Sequence, residues 1–378
     1  MEGNRAMMNT PVYFISETQL EKNLQILKEV KDRTGCKIIL AMKAFSAFST
    51  FPLISQYLDG CTSSSLHEVK LGREEFGKEV HVYSPGFKDS EIEEIAAKVD
   101  HIVFNSYSQW NKFKGIVKQI NPKIECALRL NPEHSEVTHS LYNPCSPFSR
   151  FGITKAEFKP EELDGISGFL FHTLCGKNSD ALERTIEAIE EKFGEHLHKV
   201  KWIDLGGGHV VTQDTYDRER LIKLVTNFQK KYNVQVILEP GEAVVIKAGR
   251  LVTTVLDIMH NEKNIVILDS SATAHMPDVL EMPYRPEVDG AGKPDVFKHN
   301  YKLAGVTCLS GDVIGDYSFP NPLNIGDTVT FMDMAQYTMV KNTTFNGIQL
   351  PSIAIERKDG TIDVIKEFGY EDFKTRLS

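Results

Sequence analysis

The sequence has no apolar run long enough to span a bilayer, and Met1 to Pro11 lack the basic start, apolar core and cleavage site of a secretory signal. Neither a membrane span nor an export signal is expected, and a cytoplasmic location is. The six cysteines (Cys36, Cys61, Cys126, Cys145, Cys175, Cys308) have no close pairs, which suits reduced thiols and excludes a dense disulfide framework. His134, His139 and Cys145 share one stretch, but their spacing matches no standard zinc pattern, so no metal is expected. Basic residues are in deficit, with 43 Lys and Arg against 52 Asp and Glu and a net charge of −9. That balance argues against a nucleic-acid or anionic-membrane surface and leaves room for a cationic small-molecule partner. Internal repeats, low-complexity tracts and flexible linkers are also missing. What remains is ordinary globular material of 378 residues, 41% hydrophobic and 25% charged, enough for a sizeable core and two domains.

Val12 to Ile15 predicts a short strand, and Ser16 followed by Gln19 is a capping box that opens a helix with Leu20, Leu24, Leu27 and Val30 along one face. Gly35 ends it. Short apolar runs then alternate with helical stretches: Lys37 to Phe45, Cys61 to Ser64, Val80 to Ser84, Ile102 to Asn105, Ile124 to Leu130, Gly168 to His172, Trp202 to Leu205 and Val236 to Leu238. Helices are expected over Leu66 to Phe76, Asp89 to Lys98, Ser108 to Gln119, Asp180 to Phe193 and Asp217 to Tyr232. Eight such units predict an α/β chain with a (β/α)8 TIM-type barrel over residues 17–243, with a doubly wound open sheet as the runner-up. Beyond it, Val244 to Ile258, Asn264 to Leu268, Tyr301 to Thr307, Thr328 to Met332 and Ser352 to Glu356 are β-rich. A β-rich C-terminal domain over 244–378 is expected, joined by the N-terminal strand within 1–16.

The run Lys37 to Phe45 reads as a strand buried on both faces, and it delivers Lys43 to its carboxyl end, where parallel α/β folds collect their chemistry. A partly desolvated amine there is nucleophilic and makes Lys43 a Schiff-base candidate. The seventh barrel strand ends in Gly206-Gly207-Gly208, whose N–H groups can turn toward an anion, and barrels usually grip phosphate after strands seven and eight. The eighth ends in Glu239-Pro240-Gly241-Glu242, placing a carboxylate at the mouth, and a buried carboxylate needs a cationic partner such as a pyridinium nitrogen. The sixth contributes His172, able to lie against a ring face. Lysine, phosphate loop and carboxylate have complementary roles around one ligand, pyridoxal 5'-phosphate.

Lys43 in Ala-Met-Lys-Ala-Phe, His172 in Phe-His-Thr-Leu-Cys, Gly206 to Gly208, Glu239-Pro-Gly, Cys308 before Gly311-Asp312, and Tyr337 in Asp-Met-Ala-Gln-Tyr-Thr resemble the fold-type III, alanine racemase-like pyridoxal-phosphate decarboxylases over nearly the whole chain. The runs Ser65 to Glu68, Asn131 to Ser135, Thr273 to Glu281 and Gly311 to Tyr317 resemble the carboxynorspermidine/carboxyspermidine decarboxylase family. The resemblance implies Lys43 as the cofactor-linked lysine, His172 stacked on the ring, Gly206, Gly207, Gly208 and Tyr337 on the phosphate, Glu239 on the ring nitrogen, and Gly241 as a further cofactor contact. It implies Cys308 as the acid that protonates the product carbon, and a head-to-tail homodimer in which Cys308 and Asp312 reach the other subunit's site. Glu242, His275, Asp278 and Asp312 are the expected contacts to the substrate's amines. Gly176-Lys177 stands where the family has an acid, and Glu242 where ornithine-type relatives carry arginine. The implied reaction is decarboxylation of carboxynorspermidine or carboxyspermidine to norspermidine or spermidine in polyamine biosynthesis. The alternatives are a diaminopimelate or ornithine-type decarboxylase and a cofactor carrier without turnover.

Overall fold

The structure is a computed structural model that describes residues 9–378. It divides into two compact units, one of residues Glu21–Val244 and one of Val245–Ser378 together with the chain up to Leu20.

The first unit is a closed barrel of eight parallel strands, which settles the choice between barrel and open sheet. With β1 assigned to Val12–Ser16 of the other unit, the barrel strands are β2 (Lys37–Ala41), β3 (Gly60–Ser63), β4 (Glu79–Tyr83), β5 (His101–Phe104), β6 (Glu125–Arg129), β7 (Ile166–Leu170), β8 (Trp202–Asp204) and β9 (Gln235–Leu238). β9 returns to β2 through the register Lys37↔Ile237. Residues from β2, β5, β6, β7, β8 and β9 (Ile39, Val103, Ala127, Leu170, Trp202, Ile237) pack as one buried cluster. Gly168 makes room for it, because a Cβ there would lie 2.3 Å from the Trp202 indole. The helices between strands start and stop where local chemistry dictates. Ser106 and Asp217 accept the N–H groups of Gln109 and Arg220 at 3.3 and 2.9 Å, satisfying amides that the first turn leaves orphaned. The helix begun by Glu17 ends at Gly35 in the left-handed region, φ 70°. The expected helix Leu66 to Phe76 is α-helical only to Leu71 and widens into a π turn over Gly72–Phe76, where Gly72 packs on the Cys61 sulfur.

The second unit is an eight-stranded mixed sheet made of β1, β10 (Gly249–Asn261), β11 (Lys263–Leu268), β12 (His299–Ala304), β13 (Val313–Phe319), β14 (Thr328–Met332), β15 (Ser352–Glu356) and β16 (Ile362–Lys366). β1 lies between β10, antiparallel, and β15, parallel, which explains why four of its five residues are buried. The strand expected from Val244 begins instead at Gly249, after a helical turn over Glu242–Val245. Gly249 passes so close to Ala335 that a Cβ would meet it at 2.5 Å. β13 and β16 were not among the expected strands; β16 is a largely exposed edge strand. Tyr13, Leu251, Leu303, Tyr317 and Phe331 are central to this unit's core.

His209 in the barrel unit and His275 in the sheet unit are buried, and desolvation lowers each pKa to about 4. The unfolded chain binds these protons near the ordinary value of about 6.5, so the stabilisation is complete above that pH and is lost as pH falls toward 4. Each residue is expected to account for up to about 3 kcal/mol of acid destabilisation. Thermal unfolding followed between these two pH values should show a falling midpoint, with a shallower slope in His275→Gln; an unchanged slope contradicts the assignment.

Candidate active site

Parallel strands present all their carboxyl ends on one side, and the barrel's chemistry-bearing residues gather there. Lys43 follows β2 on a tight turn in which the Ala44 N–H donates to the Ala41 carbonyl at 3.1 Å. The turn is tied to its neighbours, since the Ala41 N–H donates to the Pro240 carbonyl at 3.0 Å and the Met42 N–H to the Thr62 carbonyl at 3.1 Å. Gly241 fits over it because it lacks a Cβ, which would meet Ala44 at 2.6 Å. His172 follows β7, Asp204 and Gly206 to Gly208 end and follow β8, and Glu239 follows β9.

Lys43 is open to solvent through the mouth, yet protein rings it at longer range, and desolvation outweighs the attraction of Glu239 to lower its pKa. Its Nζ lies 3.4 Å from His172 Nε2. The Gly207 N–H donates to His172 Nδ1 at 3.0 Å, so Nδ1 is the acceptor and the neutral ring carries its proton on Nε2, toward the lysine. Desolvation, then Lys43 and Arg129, hold the imidazole neutral. Glu239 is buried, with Oε2 4.0 Å from His172 Nδ1.

The glycine triplet works differently from the expectation. Gly206 and Gly208 have φ of 73° and 80°, and a Cβ on Gly207 or Gly208 would strike the Glu239 or Leu174 carbonyl at 2.2 or 2.0 Å. The triplet therefore brings the ends of β7, β8 and β9 into contact. Two of its three N–H groups are already committed, Gly206 to Asp204 Oδ1 at 2.7 Å and Gly207 to His172. Gly206 and Gly207 spend their N–H groups on shaping the loop. The chain after Gly176 is strapped to the loop by the Lys177 N–H, which donates to the Gly208 carbonyl at 2.9 Å.

Five expected site residues belong to the sheet unit. Cys308 is exposed in the connection between β12 and β13, with its N–H donating to Asn346 Oδ1 at 2.7 Å. Tyr337 is half-buried in the left-handed region at φ 51°. Asp312 departs from the role expected of it. It is buried, and its carboxylate accepts from the Ala272 and Thr273 N–H groups at 2.7 and 3.3 Å and from the Thr307 N–H and hydroxyl at 3.2 and 2.7 Å. It thus serves the amino end of the helical turn Ala272–His275 and has no bare oxygen for an amine. His275 is fully buried in its unit's core, which removes it from contact with a solvated polyamine. Asp278 is paired with Lys341, which Glu281 also contacts. Of the four expected substrate contacts, Glu242 alone stands in the barrel unit, opening the turn Glu242–Val245.

Three further residues at the mouth had no expected role. Arg129 ends β6, is buried between the Tyr83 and Phe151 rings at 4.6 and 4.5 Å, and donates from Nη2 to the His172 carbonyl at 3.1 Å. Its signal was a charge inside the apolar run Ile124 to Leu130. Asp204 is buried beside Glu239. Glu68 interacts electrostatically with Lys43 and accepts the Ser64 N–H at 2.6 Å.

The opposite, amino-terminal end of the barrel holds a 530 Å³ cavity bordered by Lys37, Glu79, His101, Glu125, Lys201 and Trp202. Here Glu79, His81 and His101 place possible ligand atoms within 4.8 Å of one another, a grouping across β4 and β5 that sequence spacing did not reveal. The two imidazoles stack with centroids 4.0 Å apart and 17° between planes, so their in-plane lone pairs run side by side instead of meeting at one point. Glu79 is also occupied by Lys37 at 2.6 Å. Packing and ion pairing account for this group.

A desolvated lysine, a neutral imidazole, a buried carboxyl and a glycine loop at the carboxyl ends of a parallel barrel define a pyridoxal-phosphate site of the fold-type III decarboxylases. The family described as pyridoxal-dependent decarboxylase, C-terminal sheet domain, matches residues 15–335, and the chain belongs to it. It is 45% identical to the carboxynorspermidine/carboxyspermidine decarboxylase of Campylobacter jejuni, over 98% of each chain. It is 42% identical to the carboxyaminopropylagmatine decarboxylase of Synechocystis, over 97% of this chain and 95% of that one. The crystal structure of the Campylobacter jejuni carboxynorspermidine decarboxylase complexed with norspermidine is 43% identical, with a TM-score of 0.91 over 98% of this chain and all of that one.

The residues fit pyridoxal 5'-phosphate: the amine is desolvated, the carboxyl lies within the same mouth, and the loop is too tight for any side chain. Borohydride reduction of the loaded protein followed by peptide mapping is expected to place the label on Lys43. A label on another lysine, or full cofactor retention in Lys43→Ala, contradicts this.

Proposed function

We propose that the chain removes the carboxyl group from the α-carbon of a carboxylated triamine, carboxynorspermidine or carboxyspermidine, and releases norspermidine or spermidine. The observation that carries this is the 45% identity, spread over 98% of both chains, to a decarboxylase of those two substrates. Bound pyridoxal 5'-phosphate supplies a protonated ring that takes up the electron pair of the breaking bond.

The chain's own residues supply the rest. Lys43, its pKa lowered by desolvation, is the amine that would hold the cofactor's carbonyl. His172 is neutral and tied to Gly207, so it can cover a ring face without competing for its proton. Glu239 would hold the proton at the ring nitrogen. The Gly208 and Gly241 N–H groups, with the Tyr337 hydroxyl, would hold the phosphate. Cys308 would deliver a proton to the α-carbon after carbon dioxide leaves. We read the protein as a homodimer whose subunits share sites, in line with the exposed position of Cys308. Six unpaired cysteines fit a reducing cytoplasm, and among the described residues no helix is long and apolar enough to cross a membrane.

Glu242 is the acid assigned to the substrate's distal amines. The 42% identity to a carboxyaminopropylagmatine decarboxylase supports a second reading, in which the distal cation is a guanidinium. Carbon dioxide release from carboxynorspermidine, carboxyspermidine, carboxyaminopropylagmatine and diaminopimelate separates them. The first two are expected to give the highest kcat/KM, and preference for either of the others overturns the assignment. Glu242→Gln is expected to lower kcat/KM for the triamines by about ten- to a hundredfold, and for a short diamino acid much less. Glu239→Gln should keep the cofactor and lose most turnover. Mixing inactive Lys43→Ala with inactive Cys308→Ala should restore about a quarter of wild-type activity if sites are shared across a dimer. No recovery after subunit exchange rules out sharing.

A further inference from the structure

The barrel mouth contains more acid than the proposed reaction needs. Asp204 ends β8 and pairs in register with Ile237 of β9, two residues before Glu239. The two carboxyls are both buried at the ends of neighbouring strands, close enough for each to act on the other. Two ionised carboxylates held together out of water repel each other and offer only acceptors, so the pair favours holding one proton. Around it, Arg129 faces Asp204, while Lys43 and His172 face Glu239, and no cation is paired directly with Asp204 among the described residues.

We propose that Asp204 is a positioning residue that stays protonated and donates its O–H to Glu239, keeping the Glu239 carboxylate charged and aimed at the cofactor's ring nitrogen. This deepens the reading in which Glu239 serves that nitrogen. The placement of the proton follows from three features. Asp204 is the more deeply buried of the pair, at 2% exposure against 9%. Its Oδ1 already accepts the Gly206 N–H at 2.7 Å, which leaves Oδ2 to carry the proton. Glu239 is the one that attracts Lys43, so the negative charge is better placed there. Burial first, and then repulsion from Glu239, push the Asp204 carboxyl well above the usual carboxylate range.

An O–H donor on one oxygen of Glu239 has two effects. It fixes the carboxylate's orientation, and it keeps one oxygen occupied so that the other is presented to the ring nitrogen. The ring's capacity to accept electrons then depends on a residue that need not touch it.

Asparagine reproduces this pattern group for group: its oxygen can accept from Gly206 and its NH2 can donate to Glu239. Asp204→Asn is therefore expected to retain pyridoxal 5'-phosphate and keep kcat within about threefold of wild type, whereas Asp204→Ala loses about ten- to a hundredfold in kcat with little change in KM. In Asp204→Ala the pH at which the bound cofactor's absorption changes should move down. The direct readout is the infrared difference between wild type and Asp204→Asn, recorded on full-length protein with and without pyridoxal 5'-phosphate. It should contain the C=O stretch of a neutral carboxylic acid. Loss of ionised-carboxylate bands instead, or an Asp204→Asn variant as impaired as Asp204→Ala, overturns the proposal. The infrared comparison needs no substrate, so failure of the substrate assignment and failure of this proton assignment are separate results.

Discussion

Two carboxyl groups buried side by side at the end of a barrel constrain everything around them. Removing charge from water is unfavourable unless it is compensated, and two like charges in contact compound the difficulty. A proton shared between Asp204 and Glu239 leaves one negative charge, directed into a mouth where desolvation also lowers the pKa of the Lys43 amine. A protonated aromatic nitrogen is the partner that such an arrangement accommodates. The site is therefore prepared electrostatically for a pyridinium before any ligand arrives.

The fold makes this convergence possible because every strand of a parallel barrel ends on the same side. Lys43, Asp204 and Glu239 are far apart in sequence, yet β2, β8 and β9 are consecutive around the closed sheet. The glycine loop then removes the remaining separation. Its backbone lies so close to the Glu239 and Leu174 carbonyls that side chains are excluded, and its amides are used to fix Asp204 and His172. The loop's first task is to orient Asp204 and the imidazole.

Much of this was legible in the sequence because the barrel strands are uninterrupted apolar runs, and polar residues at their ends stand out. Lys43, His172 and Glu239 could be read in that way. Arg129 could not, since its surroundings are aromatic rings from distant parts of the barrel unit that only the folded chain assembles. Asp204 was visible beside the glycines, but its partner lies on the next strand. The converse error occurred in the sheet unit, where Asp312 and His275 sit in recognisable runs and yet are buried and serve their own unit. A motif identifies a stretch of chain; whether an acid in it faces substrate depends on backbone amides brought in from elsewhere. β13 and β16 escaped notice because their two faces do not contrast strongly in polarity.

The central claim is that the carboxyl pair maintains a positively charged ring nitrogen. Nitrogen NMR of holoenzyme reconstituted with pyridoxal 5'-phosphate carrying the magnetic isotope at its ring nitrogen tests it most directly. The account predicts a protonated nitrogen in the wild-type protein at neutral pH and an unprotonated one in Glu239→Gln. An unprotonated nitrogen in the wild-type holoenzyme would contradict it.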